Sequence, residues 1–254
     1  LKRSSQGISK SLNRDIYNNL KANFKQLDKH YAATDYEVNM IGLSALGRNS
    51  TKLEGVNLVN GTIKNAGKDG INGEVYGIIA LSTKNYGKKS NTAVKNLVSK
   101  VVKSQNKAGG WAFSGSKSDL DITGMALQAL ALHPNYQGVK TSIKRADNML
   151  KKDAFVKKDG GFYIKGGYTK QENSNSIAMV VAGLSATGTN PAKAFNNHGK
   201  NPISRLQQFQ KSNGQFKWVL SSNTGALNMS TQQSVYALEQ YSNLKAKKGS
   251  IYHF

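Results

Sequence analysis

The feature that most constrains this chain is a repeat. Three segments resemble one another, QNKAGGWAF at 105–113, VKKDGGFYI at 156–164 and QKSNGQFKW at 210–218. Their first aromatics, Trp111, Phe162 and Phe216, stand 51 and 54 residues apart. About ten residues after each comes a run rich in Ala, Leu and Val, at 123–132, 177–187 and 231–241. Two further runs, 36–46 and 74–81, look like the same element without the aromatic loop. A period near 50 residues that holds a whole helix pair marks a repeat architecture.

Between these apolar runs lie amphipathic ones. Leu12, Ile16, Leu20, Phe24, Leu27 and Tyr31 fall at steps of four and three, a narrow helical stripe. Ala93, Val94, Leu97, Val98, Val101 and Val102 make a second stripe, and Val139, Ile143, Ala146 and Leu150 a third. A helix with one apolar stripe faces water, whereas one apolar nearly all round is buried. The alternation therefore predicts an all-α fold in which outer and inner helices take turns. Arranged concentrically this is an α/α toroid of about five helical hairpins, the ring closed or incomplete. At 254 residues the chain is expected to form a single domain over 1–254, the mature or excised part of a longer protein.

In the loops, Asn72, Asp121 and Asn175 hold matching places, where short polar side chains are expected to cap the inner helices. The Gly-Gly pairs at 109–110 and 160–161 permit a sharp reversal before the aromatic. The aromatics themselves are expected to wedge between helix pairs.

Charge comes next. The sequence has 36 Lys and Arg against 14 Asp and Glu, a net charge of +22, and only 5 of the cations are Arg. Arginine reads phosphates and bases through a bidentate fork, while lysine is a solvated point charge. A lysine-dominated surface therefore implies diffuse attraction to polyanions and no sequence-specific nucleic acid partner. The flank of the second stripe carries Lys88, Lys89, Lys95, Lys100, Lys103 and Lys107 without one acid. There is no cysteine, hence no disulfide, thiolate nucleophile or thiolate metal site. No apolar run approaches the ~20 residues that span a bilayer.

The stretch GGWAFSGSKSDLDITGMALQALA at 109–131 resembles the prenyltransferase and squalene-oxidase repeat family, the terpenoid cyclase-like α/α toroids. ENSNSIAMVVAGLSATGTNP and NMSTQQSVYALEQY look like the following repeats, and TDYEVNMIGLSALG and DGINGEVYGIIAL like earlier ones, together spanning 34–241. The chain looks nearest to a Gram-positive branch of secreted or surface-anchored proteins, itself similar to the helical-barrel domain of intrinsic factor and transcobalamin. In that branch a small β-domain often follows, and GSIYHF at 249–254 would be its start. The resemblance implies an extracellular, secreted or cell-wall-associated protein.

Its enzymatic members can be tested against the residues. Prenyltransferase zinc and complement-type thioester chemistry both need a cysteine that this chain lacks. Class II terpene cyclases protonate an alkene with the middle Asp of Asp-x-Asp-Asp-Thr. Here Asp119-Leu-Asp121-Ile-Thr123 is similar, with Ile122 in place of the third Asp, so the runner-up catalytic residues are Asp121 and Asp119. Another alternative is an acidic-polysaccharide lyase with a Tyr or His base. Tyr163 and Tyr168 share a loop suited to it, while His30, His133, His198 and His253 form no repeated cluster.

The expected function is a non-catalytic binding or adhesion module, with no cofactor and no metal. Its lysine-rich outer face would take anionic cell-wall or glycan polymers. A small polar ligand would sit on a rim at the inner-helix N-termini, built from Asn72, Glu74, Trp111, Asp119, Asp121, Asn173, Asn175, Trp218 and Gln232. Three of these nine are acidic and none is basic, so the rim is expected to be less basic than the outside.

Overall fold

A computed structural model describes residues 9–167, 169–222 and 225–254, and in it the chain is mainly α-helical. The contacts cluster into two compact units, one running up to Val101 and including Ile251–Phe254, the other Val102–Ser250. No helix among the described residues is long and apolar enough to cross a membrane.

In the first unit α1 spans Lys10–Gln26, α2 Ala33–Ala45, α3 Leu58–Asn65 and α4 Gly70–Ser82. The amphipathic helix α5, Lys88–Ser104, begins here and ends in the second unit. Only Phe24 of α1 is fully buried, and Leu12 and Ile16 of its stripe are exposed. By contrast α4 buries Val75, Ile78, Ile79, Ala80 and Leu81, close to the all-round burial expected of an inner helix. On α5 the buried set, Ser90, Val94, Leu97, Val98 and Val101, is one stripe with lysines around it. Asp69 precedes α4 but its carboxylate serves α2 instead, accepting the Thr34 N–H at 3.0 Å and the Thr34 hydroxyl at 3.2 Å. One side chain thereby ties two helix starts together.

In the second unit α6 spans Leu120–Ala131, α7 Val139–Met149, α8 Ser174–Ala186, α9 Pro191–Ala194, α10 Pro202–Gln207 and α11 Leu227–Lys245. A π-helical turn, Leu150–Ala154, and the two-stranded ribbon of β1 (Phe155–Val156) and β2 (Gly161–Phe162) follow α7. Nine residues of α6 and twelve of α8 are buried, the nearly all-round burial that their apolar runs predict. Their axes come close because Gly124 faces the Met179 carbonyl and Gly183 faces the backbone of Gly124. Helix α11 packs on the other side of α8, where Ile177, Val181, Leu206, Phe209, Phe216 and Ala237 form a core.

The aromatic loops behave as wedges. Trp111, Phe162 and Phe216 are all fully buried. The Trp111 N–H donates to the Thr123 hydroxyl at 3.1 Å, and the Phe216 N–H donates to that of Thr231 at 2.9 Å. The Trp111 and Phe216 loops are thus pinned to the first turns of the helices they precede. Within each Gly-Gly pair the labour divides: Gly109 and Gly160 take positive φ, while Gly110 and Gly161 have side chains of Ser118 and Glu172 where a Cβ would stand.

Candidate functional site

The polar ends of α6 and α8 form the most developed constellation in the second unit. Asp119 is the N-cap of α6, its Oδ1 accepting the N–H groups of Asp121 at 2.8 Å and Ile122 at 3.1 Å. Asn173 caps α8 in the same way through the Ser176 N–H at 2.9 Å. These two residues, and not Asp121 and Asn175, satisfy the free amides of the first turns. The expectation that Asp121, Asn175 and Asn72 cap their helices is corrected: each lies inside its helix's first turn. The reason is local. The Asp119 N–H is bound to the Trp111 carbonyl at 2.7 Å, so the helix starts at residue 120 and the earlier acid of the pair takes the cap.

Released from capping, Asp121 turns into the protein. Burial pushes its carboxyl up to about 6 from an ordinary 3.8; the Ser176 hydroxyl partly offsets the rise and the Asp119 charge adds to it. Although close, Asp121 Oδ1 and Ser176 Oγ each lack a partner of good hydrogen-bond geometry. Asn175 is buried and accepts the Ser230 hydroxyl of α11 at 2.7 Å, which carries the polar layer across to a third helix. The Ser174 N–H donates to the Trp218 carbonyl at 2.9 Å, and the Ser174 hydroxyl to the Lys217 carbonyl at 2.7 Å.

Six of the nine expected rim residues are therefore brought together at the starts of α6 and α8: Trp111, Asp119, Asp121, Asn173, Asn175 and Trp218. Their availability differs. Trp111 is 0% exposed and Asn173 is 1% exposed, so both are framework, whereas the Trp218 side chain is 37% exposed. Gln232 lies on the exposed face of α11, apart from the hydrogen-bonded set, while its neighbour Gln233 holds a buried Oε1 without a partner. Asn72 and Glu74 belong to α4 in the first unit. Asn72 Oδ1 is buried and unpartnered, and burial raises the Glu74 carboxyl, with Lys100 opposing the rise.

Beside the Asp119 cap opens a cleft of about 270 Å³ walled by Phe113, Ser116, Lys117, Asp119, Gly166 and Gly167. Phe113 is 55% exposed, and Lys117 Nζ bridges the mouth to the Gly166 carbonyl at 3.1 Å. A lysine thus enters the rim, which the nine residues picked from sequence did not include. Tyr163 is not among the lining residues, its hydroxyl donating to the Lys170 carbonyl at 3.1 Å, and Tyr168 lies outside the described residues. Sequence reasoning missed Phe113, Lys117, Ser176, Ser230 and Gln233. The serines stand in runs of small residues, where a hydroxyl reads as filler. Phe113 alone carried a signal, a second aromatic two residues after the wedge.

Among the described residues no three of His, Cys, Asp and Glu converge as metal ligands. The first unit contains a further buried acid, Glu37 on α2. It is 0% exposed, both carboxyl oxygens lack hydrogen-bond partners, and burial with the nearby Asp69 charge pushes it up to about 8. Compared with known proteins, the chain matches no family model, no curated protein and no solved structure.

Proposed function

We propose that this chain is a non-catalytic, extracellular binding module that holds anionic cell-wall or glycan polymers on its lysine-rich helices. The observation that carries the reading is α5. Lys88, Lys89, Lys95, Lys100 and Lys103 are all exposed on that one helix, which has no acid in its sequence. With 36 cations and 14 acids in the chain, no arrangement of ion pairs can neutralise more than 14 of them. Solvated lysines attract a polyanion over roughly 8 Å at physiological ionic strength, and over about 3 Å at 1 M salt. Retention on an immobilised anionic polymer is expected to fall steeply with salt, and further in a Lys95→Glu/Lys103→Glu variant. Retention unchanged at ~1 M salt would sink the electrostatic account.

The finer architecture belongs to the same reading. Stripe helices alternating with helices buried all round, and Gly124 and Gly183 drawing successive inner helices together, support an α/α-toroid arrangement of the prenyltransferase-repeat type. In it the cleft beside Asp119 is a rim site for a small polar ligand, with Phe113 as the flat surface and Asp119 and Lys117 as the charged walls.

A second reading, an acid catalyst of the class II cyclase kind, is favoured by Asp121 alone. Its buried, unpartnered Oδ1 and raised pKa are what proton donation requires. Incubation with prenyl diphosphates and mass spectrometry separates the two: turnover lost in Asp121→Asn supports the catalyst, and no turnover supports the binding module.

A further inference from the structure

A second opening, of about 700 Å³, lies wholly in the first unit between α3 and the first three turns of α5. Its apolar surface comes from Ile63, Ala66 and Ala93, with Leu97, 1% exposed, as the packed layer beneath them. Its polar margin comes from Thr92, Asn96 and three lysines, Lys88, Lys89 and Lys100, and no acid lines it. The volume falls within the ~300–1,000 Å³ typical of ligand sites, which pair an apolar body with a few placed polar groups.

The two ends of this groove are electrically unequal. Lys88 and Lys89 occupy the first turn of α5, which has no acid. The free N–H groups of a helix start already carry about half a positive charge, so lysines there oppose the helix dipole and concentrate positive potential. At the far end Lys100 is partly answered by Glu74: a Cβ on Gly67 would lie 3.1 Å from Lys100 Nζ and 3.3 Å from Glu74 Cγ. Lys88 and Lys100 are separated by about 18 Å of helix at 1.5 Å per residue. An anionic group is therefore drawn to one end, and a long apolar body has room to lie along α5 from there.

We propose that the groove binds an anionic amphiphile with a single alkyl chain, its head at Lys88 and Lys89 and its tail over Ala93, Leu97, Ile63 and Ala66. This goes beyond polymer retention, because it needs apolar contact as well as charge, and it stands or falls separately. Charge complementarity selects the head, and the apolar floor selects the tail.

The test is calorimetric titration of the whole chain with octyl, decyl and dodecyl phosphate below their micellar concentrations. Inorganic phosphate and decyl maltoside are the controls. Saturable binding is expected to tighten about tenfold for each two methylenes added, the increment of burying CH2 groups. Inorganic phosphate is expected to show no saturation, and decyl maltoside to bind at least about tenfold more weakly than decyl phosphate. Lys88→Ala/Lys89→Ala is expected to lose about tenfold in affinity for decyl phosphate while remaining folded, since both side chains are exposed. Ala93→Trp, with Thr92→Trp as the alternative on the exposed side, fills the groove without changing the charge. It is expected to abolish alkyl phosphate binding and leave polymer retention intact. Affinity indifferent to chain length, equal binding of the maltoside, or full binding by the folded Trp variants would each overturn the proposal without touching the polymer reading.

Discussion

Glu37 is the side chain whose replacement tests the interior most directly. It stands on α2 with no exposed surface, against Gly77 of α4, where a Cβ would lie 3.1 Å from its Oε1. Burial is the first cause of its elevation to about 8, the Asp69 charge the second. A carboxyl raised in the folded state holds its proton better there than in the unfolded chain, so folding is favoured at low pH. That advantage is lost as pH rises from the ordinary 4.5 through about 8. Integrating between those values, the wild type loses about 4 kcal/mol between pH 5 and pH 9 through this one group. That is a large part of the roughly 5–15 kcal/mol that holds a domain together. Glu37→Gln keeps the shape and removes the ionisation. Urea unfolding of both proteins at pH 5 and pH 9, read by linear extrapolation, gives four stabilities. The margin of the variant over the wild type is expected to widen by about 4 kcal/mol at the higher pH. The other titrating groups are common to both proteins and cancel; Tyr76, raised by burial and by Glu37 itself, stays protonated at pH 9 in either. A margin that is the same at both pH values would refute the reasoning, because it would mean that the carboxyl finds a solvated or paired environment.

Gly124→Ala sets a Cβ against the Met179 carbonyl of α8, a backbone atom that cannot turn aside, and is expected to cost about 1–3 kcal/mol by urea midpoint. Asp119→Ala removes the cap of α6 and is expected to cost about 1–2 kcal/mol by urea midpoint. Asp121→Asn has the opposite sense: the wild type loses stability as pH rises from 3.8 through about 6, and the variant does not. A gain of about 2 kcal/mol at pH 7 relative to pH 4 is expected in the same assay.

The helices were legible because their periods are unlike. Helix α5 shows a stripe with lysines round it, and α8 shows Ile177, Ala178, Met179, Val180 and Val181 in unbroken succession; the structure buries one face of the first and nearly all of the second. The wedges were legible for a similar reason, since a bulky ring just after a glycine turn has few places to go but inward. What periodicity does not encode is fit. The short helices α3, α9 and α10 are too brief to display a period, and α3 forms one wall of the larger groove. That groove depends on Ile63 and Ala66 standing apart from Leu97, a property of two helices at once. The exposure of Leu12 and Ile16 is likewise invisible in a stripe that reads as well as that of α5.

The rim shows how a small error in phase changes chemistry. Asp119 and Asp121 are both able to cap, and so are Asn173 and Asn175, and a sequence that spaces its polar residues two apart leaves the choice open. The choice is made elsewhere, by the Trp111 carbonyl that holds the Asp119 N–H and by the Trp218 carbonyl that holds the Ser174 N–H. Those carbonyls belong to loops whose aromatic wedges, Trp111 and Phe216, are fixed by burial. The wedge thus sets the first residue of the helix, the first residue sets the cap, and the cap decides which carboxylate remains for other work. In α6 the remaining one is Asp121, turned inward beside Ser176; in α8 it is Asn175, bound to Ser230. An acid in the first position and an amide in the second give one ionisable side chain within an otherwise neutral polar layer. Asp119 accepts its two N–H donors and lines the cleft with Lys117, which suits a ligand that is held, whereas Asp121 is the group a reaction would need. The same dipeptide spacing therefore separates the binding reading from the catalytic one, with each carried by its own aspartate.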